Sequence, residues 1–349
     1  MERAAPAFEQ RIYSPQKIAA VTAELARQGV VPAVALEGAG LDAADLQGAD
    51  TRVSYRQFDT VFRNALRLSC DPDIGLRAGR RMHVTAHGIY GYALLSSPTY
   101  ADAVDFTARY IRVLGPLTEI STARDEQRVT YTCHPVHWPD PAQPIYRFVV
   151  EFSLSMHLTA AADIAGDSFR YSRVCLAFPA PAHADAYGER FGCPVLFGQA
   201  HNELQYDAAW LRRPATFADP ISNAAARVMC DRLLSEVDDR RGLASEIRRA
   251  LMSQPGRFPS IESMAAQLGM HPRALRRRLE AERTSYRELL AEVRMRLAIE
   301  YLRHTRMTNE DIASRLGYSD AANFRHAFTR WTDKSPSEFR LGACAAPAR

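Results

Sequence analysis

Lysine is almost missing from this 349-residue chain: Lys17 and Lys334 are the only two, so nearly all of its 44 basic residues are arginine. Arginine's planar donor fork suits phosphate and base-edge recognition. A GC-rich genome gives the same bias, so the count alone assigns nothing. Cysteine is sparse and scattered. Cys70, Cys133, Cys175, Cys193, Cys230 and Cys344 form no CxxC pair and no zinc-ligand spacing with histidine. That excludes a disulfide scaffold and leaves reduced, mostly buried thiols as the expectation. No run approaches ~18 apolar residues, so no membrane span is expected. The opening MERAAPAFEQRIYSPQK lacks the apolar core of a secretory signal, and a soluble cytoplasmic protein is expected.

What is present is ordinary for a globular chain, 47% hydrophobic and 24% charged, which excludes a collagen-like or largely disordered protein. At roughly 100–200 residues per domain the length suggests two domains. The net charge of +4 hides an asymmetry. Residues 240–349 hold 21 basic and 12 acidic residues, a net +9, whereas 1–239 hold 23 and 28, a net −5. A basic tail on an acidic body is an electrostatic hint of nucleic-acid binding by the tail.

The boundary is marked by Leu211-Arg-Arg-Pro214 and by Asp219-Pro220, a helix cap followed by proline at the first helical position. The helix that follows carries Ile221, Ala225, Met229, Leu233 and Val237 on one i+4 ridge, which needs a partner surface in its own domain or in a second subunit. Asp238-Asp-Arg-Arg-Gly242 reads as a charged stop. The expected domains are therefore 1–215, a connecting helix at 216–241, and 242–342. A further amphipathic stripe, Leu243, Ile247, Ala250 and Leu251, stops at Pro255-Gly256.

The tail contains an internal repeat. In SIESMAAQLGMHPRALRRRLEAE (260–282), Ser260 caps a helix with Ile261, Met264, Ala265 and Leu268 inward, Gly269 breaks it, and a second helix places Leu275 and Leu279 inward. TNEDIASRLGYSDAANFRHAFTRW (308–331) repeats the plan 48 residues on: a Thr308/Asp311 capping box, inward Ile312, Ala313 and Leu316, a break at Gly317, then Phe324 and Phe328. A small residue lets the two helices cross closely and glycine permits the tight turn, as a helix-turn-helix requires. Between the copies, Leu289, Val293, Leu297 and Tyr301 fall at i+4 steps and predict one joining helix. About 18 residues at about 1.5 Å each give a strut of roughly 27 Å. That strut could hold two recognition helices near one DNA turn apart, about 34 Å, in successive major grooves.

On these residues the second unit, IASRLGYSDAANFRHAFTRWTDKSPSEFR, resembles the carboxy-terminal signature of the AraC/XylS family of bacterial transcription regulators. The first unit and the joining helix are similar to that family's DNA-binding domain throughout, and Ser335-Pro336-x-Glu338 resembles its capped closing helix. HGIYGYALLSSPTYADAV (87–104) and FGQAHNELQYDAAWLRRP (197–214) resemble the amino-terminal domain of a subgroup that includes ornithine-utilisation and virulence-type regulators. The resemblance implies an effector-responsive activator that binds double-stranded DNA, a small-molecule effector at the amino-terminal domain, RNA polymerase and a second copy of itself.

The exposed face of the first recognition helix offers His271, Arg273, Arg276, Arg277 and Arg278. The resemblance places Arg273, Arg276 and Arg277 at base-reading positions, and arginine suits bidentate contact to guanine. In the second helix, Ala322 can only make apolar contacts, and Asn323, Arg325 and His326 are the polar candidates. The first unit is therefore expected to supply most base specificity and the second mostly anchoring.

The amino-terminal half is the sensor by elimination. It reads as α+β: helices near 15–28, 55–67, 87–95, 100–114, 144–164 and 182–191, with strands near 117–123, 127–134, 170–178 and 195–206. The whole chain is thus expected to be an α+β sensor followed by an all-α domain of two helix-turn-helix units on a linker helix. No phosphate loop or GxSxG elbow occurs. His83 with His87, and His134 with His137, bring too few partners for a metal, so neither metal nor cofactor is expected. Glu151, Asp163 and Asp167 are expected on a solvated helix face. Two other readings stay open. An enzyme fused to a DNA-binding module, of the alkyl-transfer type, would need an activated cysteine cluster, and none is visible. An architectural DNA binder would not need two reading helices and a large acidic partner domain.

Overall fold

The computed structural model describes residues 6–344, apart from positions 49, 254, 255, 257, 283 and 333. The chain divides into two compact units, Phe8–Val237 and the chain from Asp238 onward.

In the first unit a five-stranded sheet has the order β1-β2-β5-β3-β4, from β1 (Thr118–Arg124), β2 (Arg128–Pro135), β3 (Arg173–Cys175), β4 (Val195–Leu196) and β5 (Asn202–Asp207). All pairings are antiparallel except β3 with β4. Asp125 closes the β1–β2 hairpin, its Oδ1 accepting from Gln127 N at 2.8 Å and Arg128 N at 2.7 Å. The helix Pro144–Ala165 is long and apolar enough to cross a bilayer, yet most of it is buried inside the unit. It serves two cores at once. Tyr146, Val150, Leu154, Leu158 and Ala161 face the cluster that contains the sheet residues Val129, Val174 and Leu204. Ile145, Phe148, Val149, Phe152 and Met156 face the cluster built on Phe58 and Phe62. A helix apolar on two sides loses the one-sided stripe of a surface helix.

The expected elements of this unit are present to within a few residues at their ends. The helix Ile74–Arg80 lies outside the expected set, as does the single turn Pro32–Ala35. The longer of the two matters more. It packs against Pro144–Ala165 at Gly75 and Gly79, where an added Cβ would lie 3.0 Å from Phe148 O and 2.3 Å from Phe152 O. Glycine is used here for close helix contact and not as a breaker. Glu151 corrects the expectation of a solvated face: it is 2% exposed and accepts from Tyr187 Oη at 2.5 Å, with His183 Nε2 at 3.1 Å and Arg147 at 3.5 Å. Asp163, on the same helix, accepts from Val84 N at 2.8 Å and pairs with His83 at 3.0 Å; Asp167 is exposed. Of the thiols, Cys133, Cys175 and Cys230 are buried and Cys70 is exposed.

The charged sequence at 238–242 does not stop the connecting helix, which runs Pro220–Met252. Acidic and basic residues are tolerated in a helix interior, and one glycine costs only about 1 kcal/mol. The expected stop survives in another form: the Glu282 carboxylate accepts from Leu243 N at 2.7 Å and Ala244 N at 2.9 Å, as an N-cap acceptor would. The expected stop at Pro255-Gly256 involves Pro255, which lies outside the described residues; the helix ends at Met252. Of the two partner surfaces left open for the i+4 ridge, its own domain does not cover Ile221 or Met229. The first half of this helix packs on its own unit through Asn223, Ala226, Cys230 and Leu234, and leaves Ile221 85% and Met229 51% exposed.

The second unit is all helix around one core. Its two copies superpose in detail. Ser260 and Thr308 cap Ile261–Gln267 and Asn309–Arg315 with the same backbone angles, φ −70° and ψ 165°. Ala265 and Ala313 are buried. Gly269 and Gly317 sit at φ +63° and +69°, and Met270 N and Tyr318 N reach back to Ala265 O at 2.8 Å and Ala313 O at 2.9 Å. The joining helix Tyr286–His304 buries Leu289, Val293 and Leu297.

The two glycines are not equivalent. Around Gly269 an added Cβ meets nothing within 4 Å, whereas at Gly317 it comes 3.0 Å from the Arg294 guanidinium, which donates to Gly317 O at 3.1 Å and lies 4.9 Å from the Tyr318 ring. Gly269→Ala is expected to cost the left-handed penalty alone, about 1 kcal/mol, and Gly317→Ala roughly 2 kcal/mol because Arg294 must also move. Urea unfolding of the two variants side by side would show it; equal losses would mean that Arg294 yields freely.

Candidate functional site

The first recognition helix is Pro272–Ala281. Proline at its first position and His271 as its cap fix the start, with Arg273 N donating to His271 Nδ1 at 3.2 Å. Leu275 and Leu279 are buried, so Arg273, Arg276, Arg277 and Arg278 are left exposed on the opposite side. Arg276 reaches back to Glu262 of the preceding helix at 3.2 Å, with both side chains more than half exposed, a pair worth under about 1 kcal/mol. Arg278 lies 3.9 Å from Met270 Sδ. No hydrogen bond or ion pair among the described residues engages the Arg273 or Arg277 guanidinium. Among the described residues this helix therefore presents two free guanidinium groups, Arg273 and Arg277, and two loosely held ones, Arg276 and Arg278.

The second recognition helix is Ala321–Thr332, with Phe324 and Phe328 buried and Ala322, Asn323, Arg325 and His326 exposed. The Asn323 amide is already engaged, donating to Ser319 Oγ at 2.7 Å and Asp320 Oδ2 at 2.9 Å, while its backbone N donates to Asp320 Oδ1 at 2.7 Å. Asn323 thus belongs to the cap that starts the helix. Arg325 and His326 remain as its polar outer groups. The sequence reading missed Arg294: from the joining helix it lies near the rings of Phe258, at 5.3 Å, and Tyr318, and holds the second turn through Gly317 O. An arginine amid apolar i+4 positions was the only sequence signal of it.

The first unit has a partly open cavity of about 380 Å³ between the sheet, the helices Gly88–Leu95 and Tyr100–Tyr110, and Pro144–Ala165. Its lining mixes apolar side chains, among them Leu94, Val104, Ile111, Leu114, Ile120 and Ile164, with tyrosines and two histidines. Burial pushes His87 down to about 3 and His157 down to about 4, so both are neutral at pH 7. Tyr131 Oη and His157 Nε2 are 2.8 Å apart. The cavity was not foreseen: the sequence analysis singles out none of its tyrosines. Of the four histidines weighed for a metal, only His87 reaches it, while His83 turns to Asp163. Among the described residues no group of three or more His, Cys, Asp or Glu could hold a metal ion.

A duplicated helix-turn-helix with an arginine-bearing outer face, joined to an α+β unit with an internal cavity, defines a DNA-binding transcription regulator with a ligand-binding amino-terminal domain. Comparison with known proteins gives the same class. Residues 29–215 match the arabinose-binding domain of AraC transcription regulators, and residues 264–342 match a helix-turn-helix domain. The chain is 35% identical over 316 residues to the ornithine utilization regulator of Pseudomonas aeruginosa, covering 90% of this chain and 92% of that one. It is 30% identical over 280 residues to the transcriptional regulator VqsM of the same organism, covering 76% and 83%. The crystal structure of the regulator CdpR from Pseudomonas aeruginosa has the same fold, with a TM-score of 0.50 and 24% identity over 95% of this chain and all of that one. The chain belongs to the AraC family of transcription regulators.

Proposed function

We propose that the chain is an effector-controlled activator of transcription that works in the cytoplasm by binding and not by catalysis. In this reading residues 1–215 sense the effector, 216–241 connect, and 242–342 read DNA. Arg273, Arg276 and Arg277 contact bases in one major groove, with His271 and Arg278 at its edge. Ala322, Asn323, Arg325 and His326 anchor the second unit in the next groove, and bound protein recruits RNA polymerase. The observation that carries the DNA reading is the duplicated turn geometry with exposed guanidinium groups on the first helix.

The sensor cavity has a physical route to the connecting helix. The helix Gly88–Leu95 contributes Tyr90 and Leu94 to the cavity wall, and Ala93 O accepts from Asn223 Nδ2 at 2.7 Å. The cavity-lining helix Tyr100–Tyr110 ends at Tyr110, whose Oη donates to Asp231 at 2.6 Å beside the Arg109–Asp231 pair at 3.0 Å. An effector that shifts either wall therefore acts directly on residues 223–231. The test is operator affinity with and without candidate metabolites, for the full chain and for a truncation lacking residues 1–215. A truncation that binds the operator and ignores the metabolite supports the reading; an identical response in both sinks it.

The exposed ridge of Ile221, Val228 and Met229, with Phe217 66% exposed beside it, is an apolar patch of the kind that marks an interface, and we assign it to a second copy of the chain. Ile221→Asp with Met229→Asp is expected to convert a dimer to monomer in light scattering without unfolding the protein. Unchanged mass would rule this ridge out as the interface.

A further inference from the structure

We infer that the sensor cavity takes an uncharged, mainly apolar molecule carrying a neutral oxygen function such as a ketone, ester or hydroxyl, and not a sugar or a basic amino acid. This rests on the reading of the cavity as the effector site and goes beyond it by fixing the ligand's chemical class.

Three observations lead there. The first is electrical. No aspartate or glutamate lines the cavity, so an ammonium group entering it would meet no counter-charge. The one charged lining residue, Arg124, is 36% exposed and pairs with the 66% exposed Asp105 at 2.5 Å, so its charge sits at the solvent edge and not in the interior. With His87 and His157 held neutral by burial, the interior offers a carboxylate no free cation either.

The second observation is the apolar wall. A pentose carries hydroxyls around its whole ring, and those turned toward Leu94, Ile111, Ile120 and Ile164 would lose their water without a partner. The third is an excess of neutral donors. The Tyr90 hydroxyl is buried, and the only group placed to engage it is the Thr107 hydroxyl on the same wall, a loose contact outside good hydrogen-bond geometry, since Thr107 itself donates to Ala103 O. Among the described residues, no hydrogen bond engages the hydroxyls of Tyr100, Tyr171 and Tyr206 or the ring nitrogens of His87, all of which line the cavity. Buried phenols without acceptors are complementary to a ligand oxygen. An oxygen on an otherwise apolar skeleton satisfies both kinds of lining group, in a space of the size that small-molecule sites occupy.

The test uses the full chain and three probes that share one phenylalkyl skeleton: benzylacetone (a ketone), hydrocinnamate (a carboxylate) and phenylpropylamine (an ammonium). Ornithine and arabinose complete the set. Binding is read by thermal shift and calorimetry, and operator affinity is measured in parallel. Benzylacetone is expected to bind at least tenfold more tightly than either charged analogue, with no shift from ornithine or arabinose. Ala160→Phe, which fills the cavity from the long helix, is expected to abolish that binding, and Val104→Phe serves if the first variant does not fold. Tyr90→Phe is expected to leave the stability of the free protein nearly unchanged, because the hydroxyl it removes is buried with at most a loose contact to Thr107, while weakening benzylacetone about tenfold. Tighter binding of the amine, the carboxylate, ornithine or arabinose that Ala160→Phe blocks would overturn the ligand class and keep the cavity. Binding untouched by both filling variants, or no binding by any probe, would overturn the site. Benzylacetone that binds in the cavity without moving operator affinity would leave the class standing and remove the regulatory reading.

Discussion

Replacing Arg273 and Arg276 together with alanine is expected to weaken binding to the cognate operator by roughly 30- to 20,000-fold. Each bidentate arginine–guanine contact is worth about 1–3 kcal/mol of discrimination, and 1.4 kcal/mol is a factor of ten. The helix itself should survive, because both side chains are exposed and neither belongs to the core around Leu275 and Leu279. Loss of the Arg276–Glu262 pair adds little, being a surface interaction. Affinity for scrambled DNA should fall far less, since that binding is held by phosphate contacts and set by salt. The comparison variant is Arg325→Ala, expected to lower affinity for both sequences alike and to reduce the salt dependence by about one unit of slope. Gel-shift titrations on both sequences at two salt concentrations separate these effects. A larger loss of base preference in Arg325→Ala than in Arg276→Ala would reverse the assigned roles of the two helices.

Lys17→Met is expected to stabilise the protein near pH 6.5 by a few kcal/mol and to lose that advantage by pH 10.5. Lys17 is 4% exposed, donates to Leu114 O at 2.5 Å and lies 5.6 Å from the Phe58 ring centroid. Burial lowers its pKa from 10.5 to about 7. At about 1.4 kcal/mol per pH unit, that depression corresponds to roughly 5 kcal/mol between the charged and neutral forms. Below pH 7 the amine is charged in both folded and unfolded chains, and the folded protein carries the full cost of burying that charge. Between 7 and 10.5 the unfolded chain holds a proton that the folded one has released, so stability rises with pH. Above 10.5 both are neutral and the term vanishes. Methionine removes the term and leaves Leu114 O without its donor, a loss of about 1 kcal/mol at every pH. Histidine does not confuse the difference, because His87, the titratable ring coupled to Lys17, stays neutral throughout this range. Urea unfolding of both proteins across the range gives the difference directly. A constant difference would show that Lys17 reaches water.

The DNA-reading half was legible because its signals are local. A cap, a small residue, a glycine and an i+4 apolar pair all fall within 24 residues, and the second copy repeats them. The exposed arginines followed from the burial of Leu275 and Leu279. What sequence could not supply depends on partners far along the chain. Ile74–Arg80 was hidden because glycine disfavours a helix in isolation, and only the long helix lying against Gly75 and Gly79 gives those residues their use. Glu151 read as a solvated carboxylate because His183 and Tyr187, which satisfy it, lie more than thirty residues on. The cavity draws on residues from His87 to Tyr206, and tyrosines and isoleucines look the same around a hole as in a filled core. The charged sequence at 238–242 misled for the opposite reason: it is a weak local signal, and helix continuity is the stronger tendency over 33 residues.

Two ε-amines in so long a chain make a native reporter pair. Lys334 is exposed beside the helix that closes the second turn unit, and Lys17 is sealed under Leu114, itself part of the cavity wall. An acylating reagent at mild pH would tag the first side chain at once and the second only as fast as the sensor opens. The ratio of the two tags, read by mass spectrometry, would time the breathing of the cavity with no engineered label at all.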